Sequence, residues 1–378
     1  MKKSTAKARG MEYAEDRGPA MTANPLRPIP YATTLILSAV AMWAGDAPPI
    51  GNASPKEWPA WDGKETIAAY AARTGLAAQV TVIVGEEKSY PGPKAPEGWK
   101  PGQVTLTATL IPAGTFTMGT STEDIAKYLP PKSERGWYVA EIEGPPQQVT
   151  LKRPYYLGVY EVTHRQFVLT GVRACVSGAG VRSTDPDEGV KCVDYWGASE
   201  FARRLTDLNR RTVRLPTEAE WEWACRAGTT TPWHTGESID ETKALFKAPD
   251  KEPSRVLTVG QFPPNAWGLY DMHGGSCEWA ADITQRDQRL PAGPRIDPQS
   301  IPVPPEGGIW TQEKETELHM TKVHVYRGGS FMVAPWAGRV SSRYANIAAT
   351  WHRDLGFRVA VDVEAAQSGQ AEPSTPAR

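Results

Sequence analysis

The sequence predicts an α+β protein that is irregular and loop-rich, with short mixed sheets and a few helices. Three observations lead there. The 378 residues include 34 glycines, 34 prolines and 14 tryptophans. So many backbone breakers beside so many indoles suit a fold held by aromatic anchors rather than by long helices or wide sheets. Hydrophobic residues at 40% and charged residues at 22% supply a core and exclude global disorder. Finally, clean periodicity is confined to a few short segments, and no solenoid or propeller repeat is present. A net charge of −1 leaves no basic excess to grip a phosphate backbone, so no nucleic-acid partner is expected.

The elements follow in chain order. The apolar run Tyr31 to Ala44 follows Arg27 and exits through small residues. It is shorter than the ~20 residues needed to cross a bilayer, so no stable membrane span is expected. It reads as a secretory signal peptide, with Met21 a more ordinary start than Met1; the alternative is a buried helix. Residues 1–47 are therefore an N-terminal extension and signal peptide, and the protein is expected to be exported, periplasmic or extracellular. Residues 48–104 form a leader and linker, with an amphipathic stretch at Thr66 to Thr74, a strand-like Val80 to Val84, and a Pro/Gly/Lys linker at Pro91 to Gly102. The alternation Val104-Thr-Leu-Thr-Ala-Thr-Leu-Ile111 opens the main domain, 105–362, as a strand. The tail, 363–378, has no apolar anchors and is expected to be disordered.

Two helices are readable within that domain. Trp196 to Arg210 places Phe201, Leu205 and Leu208 inward, with Arg203, Arg204 and Asp207 outward. Pro216 to Gly228 opens with a capping box, Thr217 and Glu220, and Gly228 is expected to be the left-handed cap. Trp221 and Trp223 cannot share a face, so this helix must be buried on more than one side. Of four cysteines, Cys175 and Cys192 flank a polar loop, and a bridge there would contribute roughly 3 kcal/mol in an oxidising compartment. Cys225 and Cys277 read as inert buried thiols.

Six phrases stand in register: Ile111-Pro-Ala-Gly-Thr-Phe-Thr-Met-Gly119, Tyr156-Leu-Gly-Val-Tyr-Glu-Val-Thr163, the helical Val213 to Gly228, Asn265-Ala-Trp-Gly-Leu-Tyr-Asp-Met-His-Gly274, Tyr326-Arg-Gly-Gly-Ser330 and Leu355-Gly-Phe-Arg358. Together they resemble the formylglycine-generating enzyme, or sulfatase-modifying factor, family, over about residues 105 to 362. The resemblance implies a C-type-lectin-like fold.

It also implies a structural calcium ion. Asp271 and Glu278 would give carboxylate oxygens, and Gly274 and Ser276 backbone carbonyls, a hard-oxygen set of the kind calcium prefers. A salt-bridged turn is the alternative. A second family calcium site, near Ala244 to Ser254, is expected to be absent. The family's oxidation uses two copper(I)-binding cysteines, and here those positions hold Val333 and Gly338. Neither side chain binds copper, so copper is not expected, nor is sulfatase-type cysteine oxidation. Ser330 matches a family site residue, though it serves equally as a turn hydroxyl. The six histidines show no two-His-one-carboxylate spacing for iron.

Between Gly-Gly-Ser and Gly-Phe-Arg lies the segment that, by resemblance, lines the site face. Trp336, Arg339, Arg343, Tyr344, Trp351 and His352 are its candidate binding residues, large and able to combine apolar area with hydrogen bonds. Arg339, Arg343 and Tyr344 fit equally as internal braces. The expected function is an exported, catalytically degenerate domain that binds a protein or glycan. The alternative is a divergent oxidoreductase acting on sulfatases or other proteins.

Overall fold

The computed structural model describes residues 57–89, 100–129, 142–173, 185–247, 258–285, 289–298 and 322–363. The signal-peptide segment, Cys175 and the tail lie outside these residues. Helix α1 (Ile67–Thr74) starts where the amphipathic stretch does: Thr66 Oγ1 accepts the Ala69 N–H, and Gly75, at φ 71°, ends it in the left-handed conformation. Strands β1 (Gln79–Glu87) and β2 (Gly102–Ile111) pair antiparallel. They are followed by β3 (Gly114–Met118), a short helix α2 (Thr122–Ala126), β4 (Gln147–Leu151) and β5 (Tyr155–Gly158). Helix α3 (His164–Leu169) follows a complete capping box between Thr163 and Gln166, the same S/T-x-x-E/Q signature that marks the later helix.

Helix α4 (Tyr195–Asn209) has Phe201 and Leu205 fully buried. Leu208, expected inside, is 51% exposed, because the helix turns its last face to solvent before its cap at Arg210. After β6 (Val213–Arg214) comes α5 (Glu218–Arg226), with the expected capping box and every residue buried. Its C-cap is Ala227, at φ 44°, rather than Gly228. Gly228 is itself left-handed, and a Cβ there would come within 2.5 Å of the Trp61 ring. The remaining strands are β7 (Cys277–Gln285), β8 (Arg295–Ile296), β9 (Lys322–Arg327), β10 (Tyr344–Asn346), β11 (Leu355–Gly356) and β12 (Ala360–Asp362).

These strands form a five-stranded sheet, β1-β2-β5-β12-β6, a four-stranded sheet, β10-β9-β7-β11, and a three-stranded sheet, β3-β4-β8. One core, containing Tyr70, Phe167, Phe201, Trp279 and Phe357, lies against the first sheet and α4. A second surrounds α5, with Phe116, Trp221, Trp223, Trp267 and Met272. Each such side chain contributes about 1.5–3 kcal/mol by leaving water. The indoles are tied by direction as well as area: Trp221 donates to Glu278, Trp223 to the Pro112 carbonyl and Trp279 to the Val193 carbonyl.

The leader is built into this body. Trp61 N–H donates to the Ala113 carbonyl at 2.8 Å, and its ring meets Trp223 and Trp267 edge-on at 5.9 and 5.4 Å. Tyr70, fully buried, donates its hydroxyl proton to the Pro59 carbonyl and accepts the Ala113 N–H. Arg165 closes on Glu87 of β1 at 2.6 Å. Among the described residues no helix is long and apolar enough to cross a membrane.

Candidate functional site

The C-terminal segment turns sharply where β9 ends. Gly328 and Gly329 both take left-handed φ, 93° and 68°, and a Cβ on Gly329 would lie 2.7 Å from the Gly338 Cα. Only glycine permits that approach. Ser330, fully buried, donates to Asp354 Oδ2 at 2.5 Å and accepts the Met332 N–H at 3.1 Å. It therefore works as a turn hydroxyl joining the two ends of the segment. Beside it, Cys277 is buried, and its thiol is pushed up first by that burial and then by the charge of Asp354. A thiol held protonated is a poor nucleophile and a poor metal ligand.

The segment carrying Leu245, Phe246 and Lys247 runs beside residues 333 and 338. Lys247 N–H donates to the Val333 carbonyl at 2.9 Å. Gly338 ends a 3₁₀ turn, Pro335–Gly338, and a Cβ there would fall 2.3 Å from one carbon of the Phe246 ring and 3.0 Å from the Gly328 carbonyl oxygen. The backbone at 338 is packed for a glycine.

The six expected binding residues divide. Arg339 is 1% exposed, with its guanidinium on both oxygens of Glu143 at 2.7 and 2.9 Å. Arg343, also buried, meets Glu218 at 2.7 Å. These two are braces and do not belong to an outward face; the buried carboxylates they neutralise explain why. Tyr344 is half-buried, donates to the Ala337 carbonyl at 2.8 Å and stacks on Tyr326 at 5.5 Å. Trp336 is half-buried. Trp351, at 39% exposure, and His352 are open to solvent.

The strap expected to hold calcium is similarly divided. Glu278 is fully buried and spends both oxygens on Arg358: Oε2 on Nε and Oε1 on Nη2, each at 2.7 Å. Oε2 also accepts the Trp221 indole N–H at 2.8 Å. The four-residue set Asp271, Gly274, Ser276 and Glu278 therefore does not fit a cation as drawn, because Glu278 already has its counter-charge. Asp271 points elsewhere. It accepts the Gly260 N–H at 2.6 Å and lines a cavity of about 20 Å³ together with Glu161, Leu245 and Gly275. Glu161, 3% exposed, accepts the Ser276 N–H at 2.9 Å. Burial, and then the charge of Glu278, push its carboxyl up to about 8. Among the described residues no three His, Cys, Asp or Glu side chains converge as metal ligands. Glu161 belongs to the Tyr156 to Thr163 phrase, so its position was readable; its convergence on Asp271 was not.

A far larger cavity, about 820 Å³, opens beside α5. Its walls include Trp61 of the leader, Phe116 of β3, Tyr128 after α2, the Thr229-Thr-Thr231 loop and Arg339. Of the six expected binding residues only Arg339 reaches it.

Comparison with known proteins places this geometry in context. The family described as "Sulfatase-modifying factor enzyme 1-like domain" matches residues 98–363. The formylglycine-generating enzyme of Thermomonospora curvata is 26% identical over 319 residues, covering 69% of this chain and 95% of that protein. The serine/threonine-protein kinase pkn1 of Chlamydia pneumoniae is 34% identical over 132 residues. That match takes in 32% of this chain and only 19% of the kinase. Among solved structures, PvdO from Pseudomonas aeruginosa superposes with a TM-score of 0.51 at 27% identity, over 68% of this chain and 95% of that one.

Proposed function

Since the chain belongs to the sulfatase-modifying factor enzyme 1-like family, we propose that it is an exported member that binds a protein or glycan and does not carry out copper-dependent cysteine oxidation. The observation that carries this reading is the packing around Gly338, together with the residue types at 333 and 338. Valine and glycine offer no soft donor for copper(I), and the Phe246 ring occupies the space a side chain at 338 would need. The residues present therefore do not fit copper. The outward Trp351 and His352 supply apolar and hydrogen-bonding area for a contact surface. Export rests on the apolar run at Tyr31 to Ala44.

The test is a titration of purified protein with copper(I) against a chromogenic competitor, coupled to mass analysis of a Cys-containing peptide incubated with oxygen. The expected result is no stoichiometric copper binding and no change in peptide mass. Tight one-to-one binding with loss of the thiol would overturn the proposal. An intact Met1 N-terminus on cytosolic protein would sink the export reading.

A second reading concerns calcium. It is supported by two carboxylates, Glu161 and Asp271, that face one small cavity and form no ion pair among the described residues. Buried like charges without a cation are costly, and hard oxygens of this kind suit calcium. If Asp271→Ala responds to EDTA and to added calcium as the parent does, by melting temperature, the calcium assignment fails.

A further inference from the structure

We propose that the cavity of about 820 Å³ between the leader and α5 is a binding site for a neutral oligosaccharide. This deepens the reading of the chain as a binding module, but assigns the ligand to a groove distinct from the Trp351 surface.

Charge is the first consideration. Every cation on the wall already has its carboxylate. Arg226 sits on Glu222 and Arg339 on Glu143, both at 2.7 Å, while Lys127 sits on Asp124 at 2.6 Å. Two further acids line it without an ion pair among the described residues: Glu237 accepts the Tyr128 hydroxyl, and Asp62 accepts the Lys64 and Glu65 backbone N–H groups. The wall therefore offers no unspent positive charge to a phosphate or a sulfate, while the Asp62 and Glu237 carboxylates keep acceptor capacity that a sugar hydroxyl can use. What it offers is hydroxyls. Thr230 is exposed and Thr120 is half-buried, and each of these hydroxyls both donates and accepts; Thr229 donates to the Arg226 carbonyl and keeps its acceptor side, while Ser121 is spent on Asp124 as the cap of α2. That dual capacity matches a sugar hydroxyl, which also does both.

Shape and apolar area agree. Trp61 and Tyr128 are half-buried on the wall, each an aromatic ring with apolar area and a polar handle. The C–H faces of a pyranose can lie on such rings while its edge hydroxyls meet the threonines. The volume lies near the top of the ~300–1,000 Å³ usual for ligand sites, so several sugar rings are accommodated.

The full-length protein is screened on an array of neutral glucan, mannan, galactan and chitin tetramers to hexamers, and hits are measured by titration calorimetry. At least one is expected to bind, and Thr230→Lys, an exposed change that projects a long charged side chain into the groove, is expected to weaken it about tenfold or more with an unchanged melting temperature. Tyr128→Ala, which removes a ring without touching α5, should weaken the same ligand. No binding on the array, or capture only of an extended peptide, overturns the proposal. Binding that survives Thr230→Lys but falls with Trp351→Ala also overturns it, while leaving the domain a binding module. Copper-dependent peptide oxidation, in contrast, would defeat the module reading itself.

Discussion

Replacing Glu278 by glutamine tests whether this carboxylate serves Arg358 or a metal. In the parent, one fully buried carboxylate holds Arg358 through two 2.7 Å bonds and the Trp221 indole through a third, at 2.8 Å. Glutamine keeps the shape, loses the charge and turns an NH₂ toward a guanidinium or an indole N–H. Arg358 would then be a buried cation without its counter-charge. Removing one partner of a buried pair costs about 3–5 kcal/mol, and a domain of this size loses roughly 2–4 °C per kcal/mol. Differential scanning calorimetry should therefore show the Glu278→Gln melting temperature lower by roughly 6–20 °C, with or without calcium. The double variant Glu278→Leu/Arg358→Met, which removes both charges, should recover most of the loss. A loss below about 1 kcal/mol, or a calcium-induced shift present in the parent and absent in Glu278→Gln, would refute the assignment to Arg358.

Three further outcomes are expected. Gly338→Cys should lower stability by about 1–3 kcal/mol through overpacking against Phe246, with part of the loss recovered in Gly338→Cys/Phe246→Ala; chemical denaturation reads both. His234 stacks on His273 at 4.7 Å, and burial holds its imidazole down from 6.5 to about 4. The unfolded chain then binds a proton that the folded one refuses, so stability falls as pH drops from about 6.5 to 4, by up to roughly 3 kcal/mol for this group. His234→Phe should reduce the slope of urea-derived stability across that window without abolishing it, because buried His273 is also held well below its ordinary value, and an unchanged slope would count against the assignment. Thr217→Ala removes the hydroxyl that accepts the Glu220 N–H and should cost about 1 kcal/mol, visible as a small fall in melting temperature.

Local chemistry made much of the fold legible. Thr217 and Glu220 marked the start of α5, and the alternation from Val104 to Ile111 marked β2, because these signals involve neighbours within a few residues. The same logic was available for α3, where Thr163 and Gln166 form a capping box, but a helix of six residues lacks a full apolar stripe to announce it. The candidate site was less legible. Arg339 and Arg343 look like contact residues in the chain, and their partners, Glu143 and Glu218, lie 196 and 125 positions away. Glu278 likewise reads as a ligand in the chain, since Arg358, on which its carboxylate sits, is 80 residues downstream. Ion pairs of that separation leave no periodic trace, so a buried brace and an exposed hot spot read alike.

The attachment of Trp61 has a thermodynamic corollary. One side of its ring packs on Trp223 and Trp267, and the residue also walls the large cavity. Occupancy of that cavity and docking of the leader are thus linked equilibria. A molecule bound there would raise the free energy needed to peel residues 57–87 from the body. By reciprocity, loosening the leader would weaken that molecule by the same factor. A force or a partner acting on the N-terminal side of Trp61 would in this way tune affinity at a surface it never touches.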